Sequence, residues 1–174
     1  MFKSALTMLV AVLLLSGQGG IAQAANDSGE RIQAFDFGYN GAPHGNREAG
    51  AYPVSFTNLQ SPATDPFGFH EILFVRITAG HRGATKQQLI AALDAASAVF
   101  AANGNPFCST CFFDYFAGGA FGPPGTTSTS IGPDFSTPGP VQLLRGDYAY
   151  FCGVTEADGT PHYKLGMLGT FKAK

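Results

Sequence analysis

Beyond the first two dozen residues, short apolar-polar alternations separated by Gly/Pro-rich turns dominate the chain. Period-two patterning predicts strands. Arg31 to Tyr39 reads as a first strand with Phe35 and Phe37 on one face. Tyr52 to Asn58 reads as a second, with Tyr52, Val54 and Phe56 inward. After a proline-containing loop, a strand opens at His70; Leu73, Val75 and Ile77 share one face, His70, Ile72 and Phe74 the other. Two partly apolar faces imply that something covers the outer side. The one helical pattern supplies it. Leu89, Ala92, Leu93, Ala96, Val99 and Phe100 recur at helical spacing within residues 86–102, Thr85 and Gln88 form a capping-box pair, and Gly104 follows.

The remaining third is less regular. Residues 105–140 hold an aromatic cluster and then a Gly/Pro/Ser/Thr-rich stretch, which predicts loops and short edge pieces instead of long strands. From Gly146, alternation returns: Tyr148, Tyr150 and Cys152 alternate with Ala149 and Phe151. Asp158-Gly159 and Pro161 mark a turn-rich loop, and a last strand begins near Met167.

The N-terminus changes the compartment. Lys3, an apolar run from Ala5 to Leu15 and Ala22-Gln23-Ala24 form a secretory signal, so residues 1–24 are expected to be cleaved and 25–174 to form one domain. The apolar run is too short to span a bilayer. A periplasmic or secreted protein with no membrane span after cleavage is expected. Cleavage removes Met1 and Met8, leaves Met167 as the one methionine, and takes the formal charge from −2 to about −3. That balance gives no support for nucleic-acid binding.

Export makes three cysteines informative. Cys108 and Cys111 are close enough to bridge each other, which leaves Cys152 odd. Metal ligation gives an exported odd cysteine a reason; a buried free thiol is the alternative. His162 and Met167 follow Cys152 in order, and His70 can supply a second imidazole. Two imidazoles, a thiolate and a weak thioether are the donor set of a blue-copper electron-transfer site. Zinc would accept the cysteine and histidines but has little use for the thioether.

The segments AYPVSFTN, FHEILFVRI and GDYAYFC…GTPHYKLGM resemble the cupredoxins, the plastocyanin/azurin-like copper proteins, and within them a bacterial exported subgroup with a long ligand loop. The resemblance implies an all-β, Greek-key β-sandwich with one inserted helix and a long Gly/Pro-rich loop region. It implies one type 1-like copper ion held by His70, Cys152, His162 and Met167. It also implies a non-enzymatic one-electron carrier, monomeric, serving redox partner proteins, with His162 near the surface as the electron path. Asn58 and Pro161 are candidates for supporting the ligands. Glu71 falls on the opposite strand face and reads as solvated. The chain departs from the family in the nine residues between Cys152 and His162, which admit Glu156 or Asp158 as a carboxylate ligand or a looser site. A copper-free binding module and a copper-delivery protein are the alternative functions. No Gly-x-Ser-x-Gly, His-Glu-x-x-His or phosphate-loop pattern occurs.

Overall fold

The computed structural model describes residues 29–64, 68–134 and 138–174. The expected signal sequence lies outside the described residues. In chain order the elements are β1 (Glu30–Phe35), β2 (Gly38–Asn40), β3 (Asn46–Arg47), β4 (Gly50–Tyr52), β5 (Val54–Asn58), β6 (His70–Ile77), α1 (Lys86–Asn103), β7 (Phe113–Gly122), β8 (Thr127–Thr129), β9 (Val141–Leu143), β10 (Gly146–Phe151), α2 (His162–Leu165) and β11 (Leu168–Ala173).

They build a β-sandwich. One sheet runs β2-β1-β5-β8 and the other β3-β11-β10-β6-β7, with a small β4-β9 pair beside them. Between the sheets lie Ile32, Ala34, Val54, Phe56, Ile72, Phe74, Tyr148 and Phe171. The second face of β6 packs under α1: Val75, Ile77, Leu89, Leu93, Phe113 and Phe116 form a separate cluster. So the two apolar faces of β6 are both used, as its sequence implied. The Thr85 hydroxyl accepts from the Gln88 amide and the Gln88 side chain accepts from the Thr85 amide, completing the capping box; Gly104 closes the helix at φ 78°.

Three local readings change. The first strand is broken: Asp36 takes φ 36° and turns the chain back, so β1 pairs with β2 in a hairpin. Ile32 and Ala34 then face the core, while Phe35 and Phe37 are exposed. Tyr52 to Asn58 likewise divides at Pro53, which lacks the N–H a continuing ladder needs. The largest difference is β7, a ten-residue strand inside the region read as loops. Its glycines are what hid it. A Cβ on Gly119 would lie 2.6 Å from the Ile72 carbonyl oxygen, and one on Gly118, at φ 122°, 2.5 Å from that of Ile131. Gly119 permits close approach to β6 within the sheet and Gly118 close approach of the Ile131 segment, where side chains would not fit.

Candidate metal centre

The site sits at one end of the sandwich, where β6 begins and β10 ends. β6 and β10 are antiparallel neighbours, paired from Ile77 with Asp147 to Leu73 with Phe151, so His70 and Cys152 emerge at the same edge. Asn58, fully buried, fixes the approach to His70. Its Nδ2 donates to the Gly68 and Gly122 carbonyls at 2.8 and 3.0 Å, and its Oδ1 accepts from the Gln60 amide at 3.0 Å. One side chain thus ties β5 and β7 to the segment that delivers the histidine.

Cys152 is held on three sides. Its N–H donates to the Met167 carbonyl, its carbonyl accepts from Tyr163 N–H, and its sulfur accepts from the Glu71 amide at 3.5 Å. The long loop that follows is not loose. His162 N–H donates to the Val154 carbonyl at 2.8 Å, and Thr155 bridges Pro161. The surplus length is taken up in a small turn, where Glu156 N–H reaches the Thr160 carbonyl and Asp158 Oδ1 accepts from the Thr160 amide. Asp158 is thereby committed to the turn. α2 then starts at His162, and the Met167 N–H donates back to the His162 carbonyl.

Three ring and sulfur atoms converge. His70 Nδ1 lies 3.2 Å from His162 Nδ1, and His162 Nδ1 lies 3.4 Å from Cys152 Sγ. Cys152, His70 and His162 are all buried, at 0, 1 and 3% exposure, and offer donor atoms within 4.8 Å of one another. Met167, fully buried, packs in the same inter-sheet core as Cys152. Atoms bonded at about 2.0–2.3 Å to one shared ion stand at such separations, so the residues fit a small metal ion with nitrogen and thiolate ligands. Burial, and then the nearby Glu71 carboxylate, push the Cys152 thiol well above its ordinary value. A bound cation would supply the compensating charge that the apolar surroundings withhold.

The carboxylates occupy other places than expected. Glu156 does not join the donor cluster; its Oε1 lies 2.7 Å from His162 Nε2, on the far side of the ring. Glu71 is part-buried and hydrogen-bonded. It accepts from the Gly153 amide at 2.9 Å, and burial raises its carboxyl above the usual range. The Tyr39 hydroxyl donates to the Glu71 carbonyl, adding a further brace. His162 is not at the surface either. Phe37 meets its ring edge-on at 5.4 Å, and Glu156 caps its outer nitrogen. Outside lies a cleft of about 310 Å³ lined by Asp36, Phe37, Gln60, Gly68, His70, Glu156 and His162. Alternation in the sequence placed His70 and Cys152, and order along the chain pointed to His162 and Met167; the roles of Phe37 and Glu156 depend on the β1-β2 turn and the loop's internal bonding, which carry no periodic signal. Away from the centre, Cys108 and Cys111 form a disulfide.

No protein-family model matches the chain, and no curated protein does. Solved structures similar to it include reduced auracyanin from Roseiflexus castenholzii, at 16% identity and TM-score 0.48, over 83% of this chain and 94% of that one. Auracyanin A from Chloroflexus aurantiacus, described as a "blue" copper protein, has 17% identity and TM-score 0.48, over 83% and 96%. An azurin from Methylomonas sp. strain J has 15% identity and TM-score 0.44, over 84% and 98%. The β-sandwich with one long inserted helix that the resemblance implied is what the described residues build. For the site, the case is made by the chain's own donors. Among the described residues, no helix is long and apolar enough to cross a membrane.

Proposed function

We propose that this chain is an exported one-electron carrier holding a single copper ion in a type 1-like site. His70, Cys152 and His162 are the main ligands in this reading, and Met167 is the weak fourth. The carrying observation is the convergence of one buried sulfur and two imidazole nitrogens at 3.2 and 3.4 Å. A thiolate and two imidazoles with a distant thioether are a donor set that copper accepts in both of its common oxidation states. Copper would supply the one-electron couple.

The chain's contribution is rigidity. Cys152 is fixed by the Met167, Tyr163 and Glu71 main chain, and His162 by Val154, Glu156 and Phe37. His70 opens a strand whose approach is locked by Asn58. Donors held this way do not rearrange when charge changes, which keeps the cost of electron exchange low. The cleft beside Phe37 and His162 is where a redox partner protein would approach. Residues 1–24 would direct export and be removed.

The test is reversible cycling. Copper-loaded protein comprising residues 25–174 is expected to take up and release one electron repeatedly in voltammetry, and to hold Cu(I) against a weak chelator between cycles. Rapid loss of Cu(I) to the chelator, with no reversible wave, would favour copper delivery instead.

A further inference from the structure

His162 Nδ1 faces Cys152 and His70, and its other nitrogen faces Glu156. A neutral imidazole carries one N–H, and which nitrogen carries it is set by the hydrogen bond the other makes. The Glu156 carboxylate has only oxygens and, at 2.7 Å from Nε2, can take a proton's hydrogen bond there. With the N–H on Nε2, the Nδ1 lone pair is left toward the sulfur and His70. We propose that Glu156 is the positioning residue of the metal centre: it selects the tautomer of His162 that presents Nδ1 to the ion. The inference rests on the copper reading for its purpose, and on the metal-free geometry for its substance.

The loop is built to hold this contact. Glu156 main-chain atoms bond Thr160 and Gly159, and Thr155 bridges Pro161. The carboxylate is therefore returned to the ring six positions later. These are residues inside the extended stretch between Cys152 and His162, so the loop's added length has a use: it carries the group that orients the ligand at its end. Phe37, in edge contact with the same ring, limits rotation but cannot distinguish one nitrogen from the other. Of Phe37 and Glu156, it is Glu156 that makes that distinction, from the Nε2 side, while His70 and Cys152 lie on the Nδ1 side. The Glu156 side chain is 44% exposed, so truncating it leaves no buried void.

The experiment compares wild type, Glu156→Gln and Glu156→Ala. Metal-free protein is read by ¹⁵N NMR of the His162 ring, and each variant is then titrated with Cu(I) against a competing chelator. In wild type, the ring is expected to carry its proton on Nε2. Glu156→Gln keeps an acceptor oxygen and is expected to keep that tautomer and the affinity. Glu156→Ala is expected to shift population toward Nδ1–H and to weaken Cu(I) binding by about 10–100-fold, with thermal unfolding unchanged. An Ala variant with the wild-type tautomer overturns the proposal, whatever its affinity. So does a wild-type ring protonated on Nδ1. Because the tautomer is read without metal, it decides the proposal even if wild type takes up no copper, an outcome that would instead refute the electron-carrier reading.

Discussion

At the residue scale, the centre depends on side chains that bind nothing themselves. Asn58 is the clearest. It donates to two carbonyls and accepts one amide while fully buried. Asn58→Ala leaves the Gly68 and Gly122 carbonyls without these partners, and about 1–3 kcal/mol of stability is expected to be lost. Asn58→Asp is expected to be worse, because an ionised carboxylate has no proton to give either carbonyl. Urea denaturation checks both, and a variant as stable as wild type would contradict the bracing role. The sequence singled out Asn58 only through a family resemblance. Its importance comes from three partners 2, 10 and 64 positions away, which no local pattern records.

At the element scale, the inserted helix covers one face of β6 and the hidden strand β7 pairs along its edge. Helix α1 does more than cover the sheet. Asp94 accepts from Tyr163 Oη at 2.7 Å and pairs with Lys164 at 2.8 Å, which ties the helix to α2 and hence to the ligand loop. Leu93, 3% exposed, anchors it below. Leu93→Ala is expected to cost about 2–5 kcal/mol in urea unfolding. In β7, Gly119→Ala forces a Cβ to 2.6 Å from the Ile72 backbone and 2.8 Å from Leu73. The strands must separate, and a loss of about 1–3 kcal/mol is expected by the same measurement. The helix was legible because capping box, apolar spacing and terminal glycine agree. Strand β7 was not, because Gly118, Gly119 and Gly122 imitate a loop in composition while admitting close neighbours from Ile131, Ile72 and Thr126. The Asp36 turn was missed for a similar reason: a non-glycine residue at positive φ gives no turn signature in sequence.

At the scale of the whole molecule, the tyrosines set an alkaline limit. All six, Tyr39, Tyr52, Tyr115, Tyr148, Tyr150 and Tyr163, titrate above their ordinary value, in each case chiefly because burial disfavours the phenolate. Tyr148 is pushed up to about 12. It is fully buried, and its hydroxyl bonds the Leu144 amide and carbonyl four residues upstream. A raised folded-state value favours the neutral form in the native protein. Its contribution is therefore complete below about pH 10 and is lost as pH rises from about 10 toward 12. Tyr148 alone accounts for roughly 2–3 kcal/mol of that decline. Urea midpoints across this range are expected to fall, and Tyr148→Phe is expected to lower the plateau while flattening the slope. Equal slopes in both proteins would contradict the assignment. This limit was not legible in the sequence, since six tyrosines at alternating and turn positions do not reveal which hydroxyls become enclosed.

The donor order His70, Cys152, His162, Met167 was visible because His70 opens one predictable strand, Cys152 follows another and His162 and Met167 come after it in order, and folding brings His70, Cys152 and His162 to one buried point. Whether that point takes copper through sulfur is the central claim. The direct measurement is the visible absorption and EPR spectrum of protein comprising residues 25–174, titrated with Cu(II) beside Cys152→Ser. A strong thiolate-to-copper band saturating at about one equivalent and absent from the serine variant is the expected result. No such band, with weak binding that Cys152→Ser leaves unchanged, would contradict the claim and leave a copper-free sandwich.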